Sequence, residues 1–333
     1  MSHHPRRPGH TPTSQGLPIP LARNQQAVQE VARSILRHRT PERLPSILEY
    51  QERLGVGSGT VQKAFRILEE SGAATTEPRG HLGRFVVSIN PGRAWSLAGL
   101  GVIHAILTPP GAREIYGLVD GLSDEFERLG LPLQVNYQRG SMKRLERIAS
   151  SGTSFAVMSS GAAASLARDD LNIASLAAGT YYSAGSLVRL SKGVSAAPRS
   201  RLKPLRVGID RDSSDHVELT EAEFGHLKDV SYVDCPFPKV PAEILAGRID
   251  VGIWHRIMLL VPLNLMGISS EAISPATKAL LDSRSAASIV FPKTNLELGT
   301  ALDFVDLARV AKVQKTRLAE MGTEELTERS WSY

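Results

Sequence analysis

The chain has 333 residues, 42% of them hydrophobic, and its 39 Lys and Arg against 34 Asp and Glu leave a formal net charge of +5. Such a length exceeds one ordinary domain and leaves room for a second sizeable core. The single cysteine, Cys235, excludes an internal disulfide and fits a reducing, cytoplasmic setting, with a small apolar strand position as its expected role.

The opening run MSHHPRRPGHTPTSQGLPIP lacks the apolar stretch of a signal peptide and reads as a disordered basic arm over residues 1–22. A first helix is expected from about Asn24 to Arg39, with Val28, Val31, Ala32 and Ile35 on one face and Pro41 ending it. Pro45 and Ser46 open a second helix, Ser46 as N-cap, with Ile47, Leu48 and Leu54 on one side and Gly55 as its stop. After the turn GVGSG, Val61, Ala64, Phe65 and Leu68 recur at helical spacing as the core face of a third helix. The opposite face carries Ser58, Thr60, Gln62, Lys63 and Arg66, hydrogen-bonding and cationic groups suited to base edges and phosphates in a major groove. Gly72 ends that helix, and AATTEPRGHLGRFVVSI reads as two strands around a Pro/Gly turn that carries Arg79, His81 and Arg84.

A helix pair, a glycine turn and a hairpin in that order predict a winged helix-turn-helix over residues 23–90, with double-stranded DNA as its partner. Charge agrees: residues 1–90 hold 12 Lys and Arg against 7 Asp and Glu, and the remainder holds 27 of each. The partner of the remainder therefore need not be nucleic acid. The run from Leu44 to Val86 resembles the DNA-binding domain of GntR-type bacterial regulators, a likeness carried by LPS, LGV, GTV, LEESG and GRFV. Gly57 and Ser58 stand where that family has a serine and an arginine, and Gln62 replaces its arginine after TV. The resemblance implies the fold without the family's base preference, since an arginine on guanine supplies about 1 to 3 kcal/mol of discrimination.

Pro91 and Gly92 mark a linker, and beyond Trp95 apolar strands alternate with amphipathic helices. GLGVIHAIL, PLQVNYQ and SFAVMSS are strands separated by helices at GAREIYGLVDGLSDEFERLG and SMKRLERIASSG, followed by a helix at AAASLARDD. A second set comprises LRVGID, a helix near SSDHVELTEAEFG, DVSYVDC, the helix VPAEILAGR and DVGIW. The strand ASIVFPK and one long helix from Asn295 to Met321 come last. Such repetition predicts mainly parallel sheets in two α/β lobes over residues 91–322, with a polar tail at 323–333. The chain is expected to cross between lobes near Tyr182 to Leu190 and to return near Ser285. The longest apolar run, Ile257 to Ile268, is broken by Pro262 and Asn264 and is too short to span a bilayer. This strand order resembles the type II periplasmic-binding-protein fold that LysR-type regulators use as an effector domain, and a GntR-like head on it resembles the YhfZ-type regulators.

A fold of this kind takes its ligand between lobes, at helix N-termini that favour an anion. Three strand-to-helix turns carry small hydroxyl residues: Thr108, Ser159-Ser160-Gly161, and Ser213-Ser214. They are candidates for binding a small anionic or zwitterionic metabolite, or equally simple N-caps. Arg139 and Trp254-His255-Arg256 stand where strands emerge toward a cleft, His255 being read as a satisfied loop residue. Tyr181 and Tyr182 sit at the crossover and either stack on a ligand or pack the hinge. Asp210, Asp212 and Asp215 crowd the second lobe's turn and allow an amine on the ligand.

No metal is expected from nine scattered histidines, and no cofactor or enzymatic activity is expected without a nucleophile elbow, carboxylate pair or G-x-G-x-x-G fingerprint. The reading is a ligand-responsive DNA-binding transcriptional regulator, a homodimer on an inverted repeat, because one winged head buries too little surface for specific binding. Two alternatives are a GntR-like head fused to a pyridoxal-phosphate or other α/β enzyme, and an architectural DNA-binding protein with an inert dimerisation domain.

Overall fold

The computed structural model describes residues 22–150, 154–193, 204–257, 259 and 261–321. The expected basic arm, apart from Ala22, and the polar tail at 323–333 lie outside the described residues. Helix α1 (Arg23–Leu36) buries Ala27, Val28, Val31, Ala32 and Ile35 as its periodicity requires, and it stops before Arg39. The approach to Pro41 disfavours helix there. Helix α2 (Ile47–Leu54) starts at a complete capping box, in which Ser46 Oγ accepts the Glu49 N–H and the Ser46 N–H donates to the Glu49 carboxylate at 2.6 Å. Its inward anchor is Tyr50, edge-on to Phe65 at 5.7 Å, while Leu48 faces solvent instead of the core. Helix α3 (Ser58–Glu70) buries Val61, Ala64, Phe65 and Leu68. It closes through Gly72 at φ 66°, with Ala73 N–H donating to Leu68 O and Gly72 N–H to Glu69 O. Strands β1 (Ala74–Pro78) and β2 (Arg84–Ile89) form the antiparallel wing, and Arg43 bridges to Phe85 beside it.

The segment at Pro91-Gly92 is a helix, α4 (Pro91–Leu97), where the sequence suggests a linker. Asn90 caps it through Oδ1 and the proline occupies the first turn, a pairing that starts helices because the missing N–H is not needed there. Trp95 is buried with its indole N–H on Gly101 O, Arg33 of α1 reaches Ala98 O, and Arg93 reaches Ser71 O at the end of α3. One continuous apolar core therefore runs from α1 and α3 through Ala94 and Trp95 into the first lobe.

That lobe holds β3 (Ile103–Leu107), α5 (Arg113–Leu129), β4 (Leu133–Tyr137), α6 (Ser141–Ala149), β5 (Ser154–Ser159), α7 (Ser160–Ser165) and β6 (Leu171–Ser175). The second lobe holds β7 (Leu187–Lys192), β8 (Leu205–Ile209), α8 (Ser214–Phe224), β9 (Val230–Asp234), α9 (Val240–Leu245), β10 (Val251–His255), β11 (Ile268–Ala272) and α10 (Pro275–Ser283). The chain then returns as β12 (Ala287–Pro292), α11 (Leu296–Asp303) and α12 (Leu307–Glu320). Sheet orders are β4-β3-β5-β12-β6 and β11-β7-β10-β8-β9.

Each lobe thus uses one strand delivered by a crossover, β12 in the first and β7 in the second, and both run antiparallel to their neighbours. The sheets are accordingly mixed, not mainly parallel. The short, half-exposed strands β6 and β11 and the helix α10 have no counterpart in the sequence reading. The single C-terminal helix is two, because Asp306 turns the chain and caps α12 with its carboxylate on the Ala308 and Arg309 N–H groups. The two crossings lie side by side, with Tyr181 and Tyr182 N–H both donating to Ser285 O at 2.8 and 3.1 Å. Among the described residues no helix is long and apolar enough to cross a membrane.

Two predictions follow from this packing. A Cβ on Gly92 would stand 2.3 Å from Leu129 O and 2.6 Å from Gly130 O, both backbone atoms that cannot swing away. Gly92→Ala should therefore cost about 1 to 3 kcal/mol of stability in denaturant unfolding. Burial also lowers the pKa of His216 from its ordinary 6.5 to about 4, and its Nδ1 accepts the Asp210 N–H, which requires a neutral ring. Between pH 6.5 and 4 the unfolded chain takes up a proton that the folded one refuses. Stability should fall as pH drops through that window, by up to roughly 3 kcal/mol, and His216→Gln should flatten the pH slope of the melting temperature relative to wild type.

Candidate functional site

On the head, the face of α3 opposite its core carries Ser58, Gln62, Lys63 and Arg66 exposed and Thr60 half-exposed. Lys63 and Arg66 form no salt bridge with the described residues. Ser46 spends its hydroxyl on the α2 cap. His81 stands exposed in a tight turn (Gly80–Leu82) at the wing tip. Arg79 stacks on the Phe85 ring at 4.7 Å and pairs with Glu77. Arg84 starts β2 beside the tip turn, opposite Pro78, but its side chain folds back over the Phe65 ring, with Nη1 3.0 Å from Glu69. A strand start two residues behind a glycine turn gives no warning that its side chain folds back on α3. Arg43, which the sequence reading passes over, lies against Gly83 in the wing turn and adds an exposed cation there.

Between the lobes is a cleft with about 50 Å³ of free space, and Thr108, Arg139, Tyr182 and Ser213 line it, as do Ser141, Arg144, Tyr181, Asp210, Asp215, His216, Phe237 and His255. All three hydroxyl-bearing turns converge on this region, but unequally. Ser159 is buried, caps α7 by accepting the Ala162 N–H, and donates its hydroxyl to Asp215. Ser160 and Ser214 do not line the cleft. The Ser160 N–H goes to Ala286 O, and Ser214 Oγ lies 3.4 Å from Ser141 Oγ. Gly161 passes so close to Arg284 and Asp215 that a side chain there would collide with both. Trp254 is a correction: strand alternation turns it into the second lobe's core with Val188, Leu190 and Ile268, away from the cleft. His255, the next residue, takes the opposite face and lines the cleft, 3.4 Å from Glu114.

The expected anion positions are filled by the chain's own carboxylates. Arg139 from the first lobe forks onto Asp210 with two bonds of 2.9 Å and onto Asp212 at 2.6 Å, both in the second lobe. Asp210 also accepts the Asp212 and Phe237 N–H groups, and Lys143 joins at Asp212. The hydrogen bond from Lys143, opposed by partial burial, holds the Asp212 carboxyl below its usual range. Asp215 receives the hydroxyls of Ser159 and Tyr182, and Arg284 lies 3.5 Å away, yet burial pushes its carboxyl upward. Burial likewise raises the Tyr181 and Tyr182 phenols. Glu114 is buried too, but His255 and Ser183 outweigh that and bring its carboxyl down to about 2. Cys235 is buried behind this wall with its thiol raised by burial to about 11, an inert position. Among the described residues no group of His, Cys, Asp and Glu is arranged to hold a metal ion.

A model of the YhfZ C-terminal domain matches residues 92–325, and one described as a helix-turn-helix domain matches residues 39–86. The chain is 28% identical over 249 residues to YhfZ of Escherichia coli (strain K12), covering 74% of this chain and 79% of that one. The crystal structure of YhfZ from Shigella flexneri is similar at a TM-score of 0.52 and 22% identity, covering 70% of this chain and 96% of that one. A putative LysR family transcriptional regulator from Pseudomonas aeruginosa also matches, at a TM-score of 0.42 and 11% identity, covering 87% of this chain and 98% of its own. The chain belongs to the YhfZ C-terminal domain family, and it joins a helix-turn-helix head to a two-lobed α/β domain.

Proposed function

We propose that the head is of the GntR-like kind and reads an inverted-repeat operator as a homodimer, with α3 in the major groove and the wing on the backbone. The observation that carries this reading is the pair Lys63 and Arg66, exposed on one face of α3 and without a salt bridge to the described residues, next to the wing cations Arg79 and Arg43. A cation with no internal partner is free to displace counterions from phosphate. The ligand is a small anionic or zwitterionic metabolite held between the lobes at Thr108, Arg139, Tyr182 and Ser213. The protein acts in the cytoplasm by binding alone, without catalysis. Its switch is the angle between the lobes, since a ligand touching both binds the closed form better, and only that difference shifts the DNA-binding equilibrium.

Binding to operator DNA at several salt concentrations tests the head. Lys63→Ala or Arg66→Ala should weaken it by about 1 to 3 kcal/mol where the side chain reads a base, or lower the salt slope by about one where it holds a phosphate. Wild-type affinity and slope in both variants would defeat the assignment of α3. For the wing, Arg79→Ala should weaken binding to all sequences alike. Arg84→Ala should in addition lower thermal stability by roughly 1 kcal/mol, because its ring contact and its pairing with Glu69 hold the wing to α3. A melting temperature unchanged in Arg84→Ala counts against that second role.

A further inference from the structure

Among the described residues nine buried side-chain nitrogen and oxygen atoms lack a hydrogen-bond partner, and five of them belong to Arg144, Asp215, His255 and Arg284. The first three residues line the cleft and the fourth backs Asp215. Asp215 Oδ1 and Arg284 Nη1 face each other at 3.5 Å and His255 Nε2 lies 3.4 Å from Glu114, so among the described residues Arg144 Nε is the cleft atom of this set with no opposite charge beside it, and such an atom calls for a polar molecule. The types of atom say what that molecule carries.

Arg144 is 4% exposed, permanently charged and able only to donate. Its Nη1 goes to Gln138 O, its Nε is unpaired, and it forms no salt bridge with the described residues. Arg139 and Lys143, by contrast, are already matched by Asp210 and Asp212. The open cation of the cleft is therefore Arg144, and it calls for a carboxylate. On the other side Asp215 has one oxygen taken by Ser159 and Tyr182, and the other makes no hydrogen bond and lies 3.5 Å from Arg284 Nη1. The rings of Tyr181, Tyr182 and His255 form a row beside it, the first pair edge-on and the second tilted, with centroids 4.9 and 5.1 Å apart. A carboxylate beside aromatic faces is an environment for an ammonium group.

A ligand carrying anions alone would suit Arg144 but would also meet the Asp215 carboxylate. The free space in the cleft is narrow, about 50 Å³, so both charges must sit on a compact body. Building on the effector reading above, we propose that the cleft binds a small α-amino acid, its carboxylate on Arg144 and its ammonium at Asp215 against Tyr182.

The test uses the full chain, with calorimetry and thermal shift against glycine, L- and D-alanine and L-serine, beside propionate, ethylamine, N-acetylalanine and alaninamide. At least one free amino acid should bind saturably and raise the melting temperature, and blocking either charged end should cost about tenfold or more in affinity. Arg144→Gln and Asp215→Asn should each lose about as much for the free amino acid. If either variant fails to fold, the blocked ligands on wild-type protein carry the same test. Propionate binding as well as alanine, or no free amino acid binding at all, overturns the ligand class. Operator binding measured with the same compounds separates the two levels. If propionate binds in place of alanine and shifts DNA affinity, the effector reading survives while the amino acid falls. An amino acid that binds in the cleft yet leaves DNA affinity unchanged upholds the ligand and defeats the regulatory reading.

Discussion

A carboxylate taken out of water must be met by charge and donors, and Asp210 is met across the gap between the lobes. Its oxygens receive the Arg139 guanidinium from the first lobe and two N–H groups from its own. Removing one partner of such a pair leaves an uncompensated buried charge, which is far more costly than the pair is favourable. The relative placement of the lobes, the shape of the cleft and the choice of which cation stays open all descend from that pairing. Arg139 is consumed by it, and Arg144, one turn along α6, is not.

Head and cleft are physically joined, because the apolar core does not stop at the head. Residues of α1, α3, α4 and the first lobe's sheet form one cluster, while the second lobe has its own clusters around Trp254 and Ile253. Surface pairs Arg37–Glu297 and Arg39–Asp303 add to the same junction. Head and first lobe therefore behave as one packed body. The second lobe is attached by two crossing segments and by polar contacts, outside that packed body.

Local chemistry made the head legible. The Ser46 cap, the left-handed Gly55 and the spacing of Val61, Ala64, Phe65 and Leu68 each act within a few residues, and the fold keeps all of them. The two lobes were legible from their buried strands, whereas β6 and β11 are short and half-exposed and lack a continuous apolar run. Asn90-Pro91 is a helix start that looks like a linker when the glycine beside it is read as freedom rather than as close approach. The cleft was legible only in outline. That Ser159 or Ser213 caps a helix is a local fact, but whether the residue then lines the cleft, as Ser213 does, or meets Asp215, as Ser159 does, depends on residues over fifty positions away. Trp254 and His255 show the same limit at its sharpest, since adjacent strand residues take opposite faces and no sequence signal names the cleft side. Arg144 reads in sequence as one more cation on a solvated helix, and only the packing of α6 buries it.

Helix α12 lies against α5 at Gly117 and Gly121, where a β-carbon would stand 2.8 Å from the Gln314 side chain and 2.6 Å from Val310 O. Those two bare positions, one helical turn apart, are a slot that seats α12. From that seat Gln314 donates to Glu114 O on α5 and to Thr180 O at the start of the crossing. The C-terminal helix is thus a strut between scaffold and crossing, and its seating ties the crossing at Thr180 to α5. Drift in the slot residues would retune the stiffness of the crossing while leaving every group in the cleft, and every group on the DNA face, untouched.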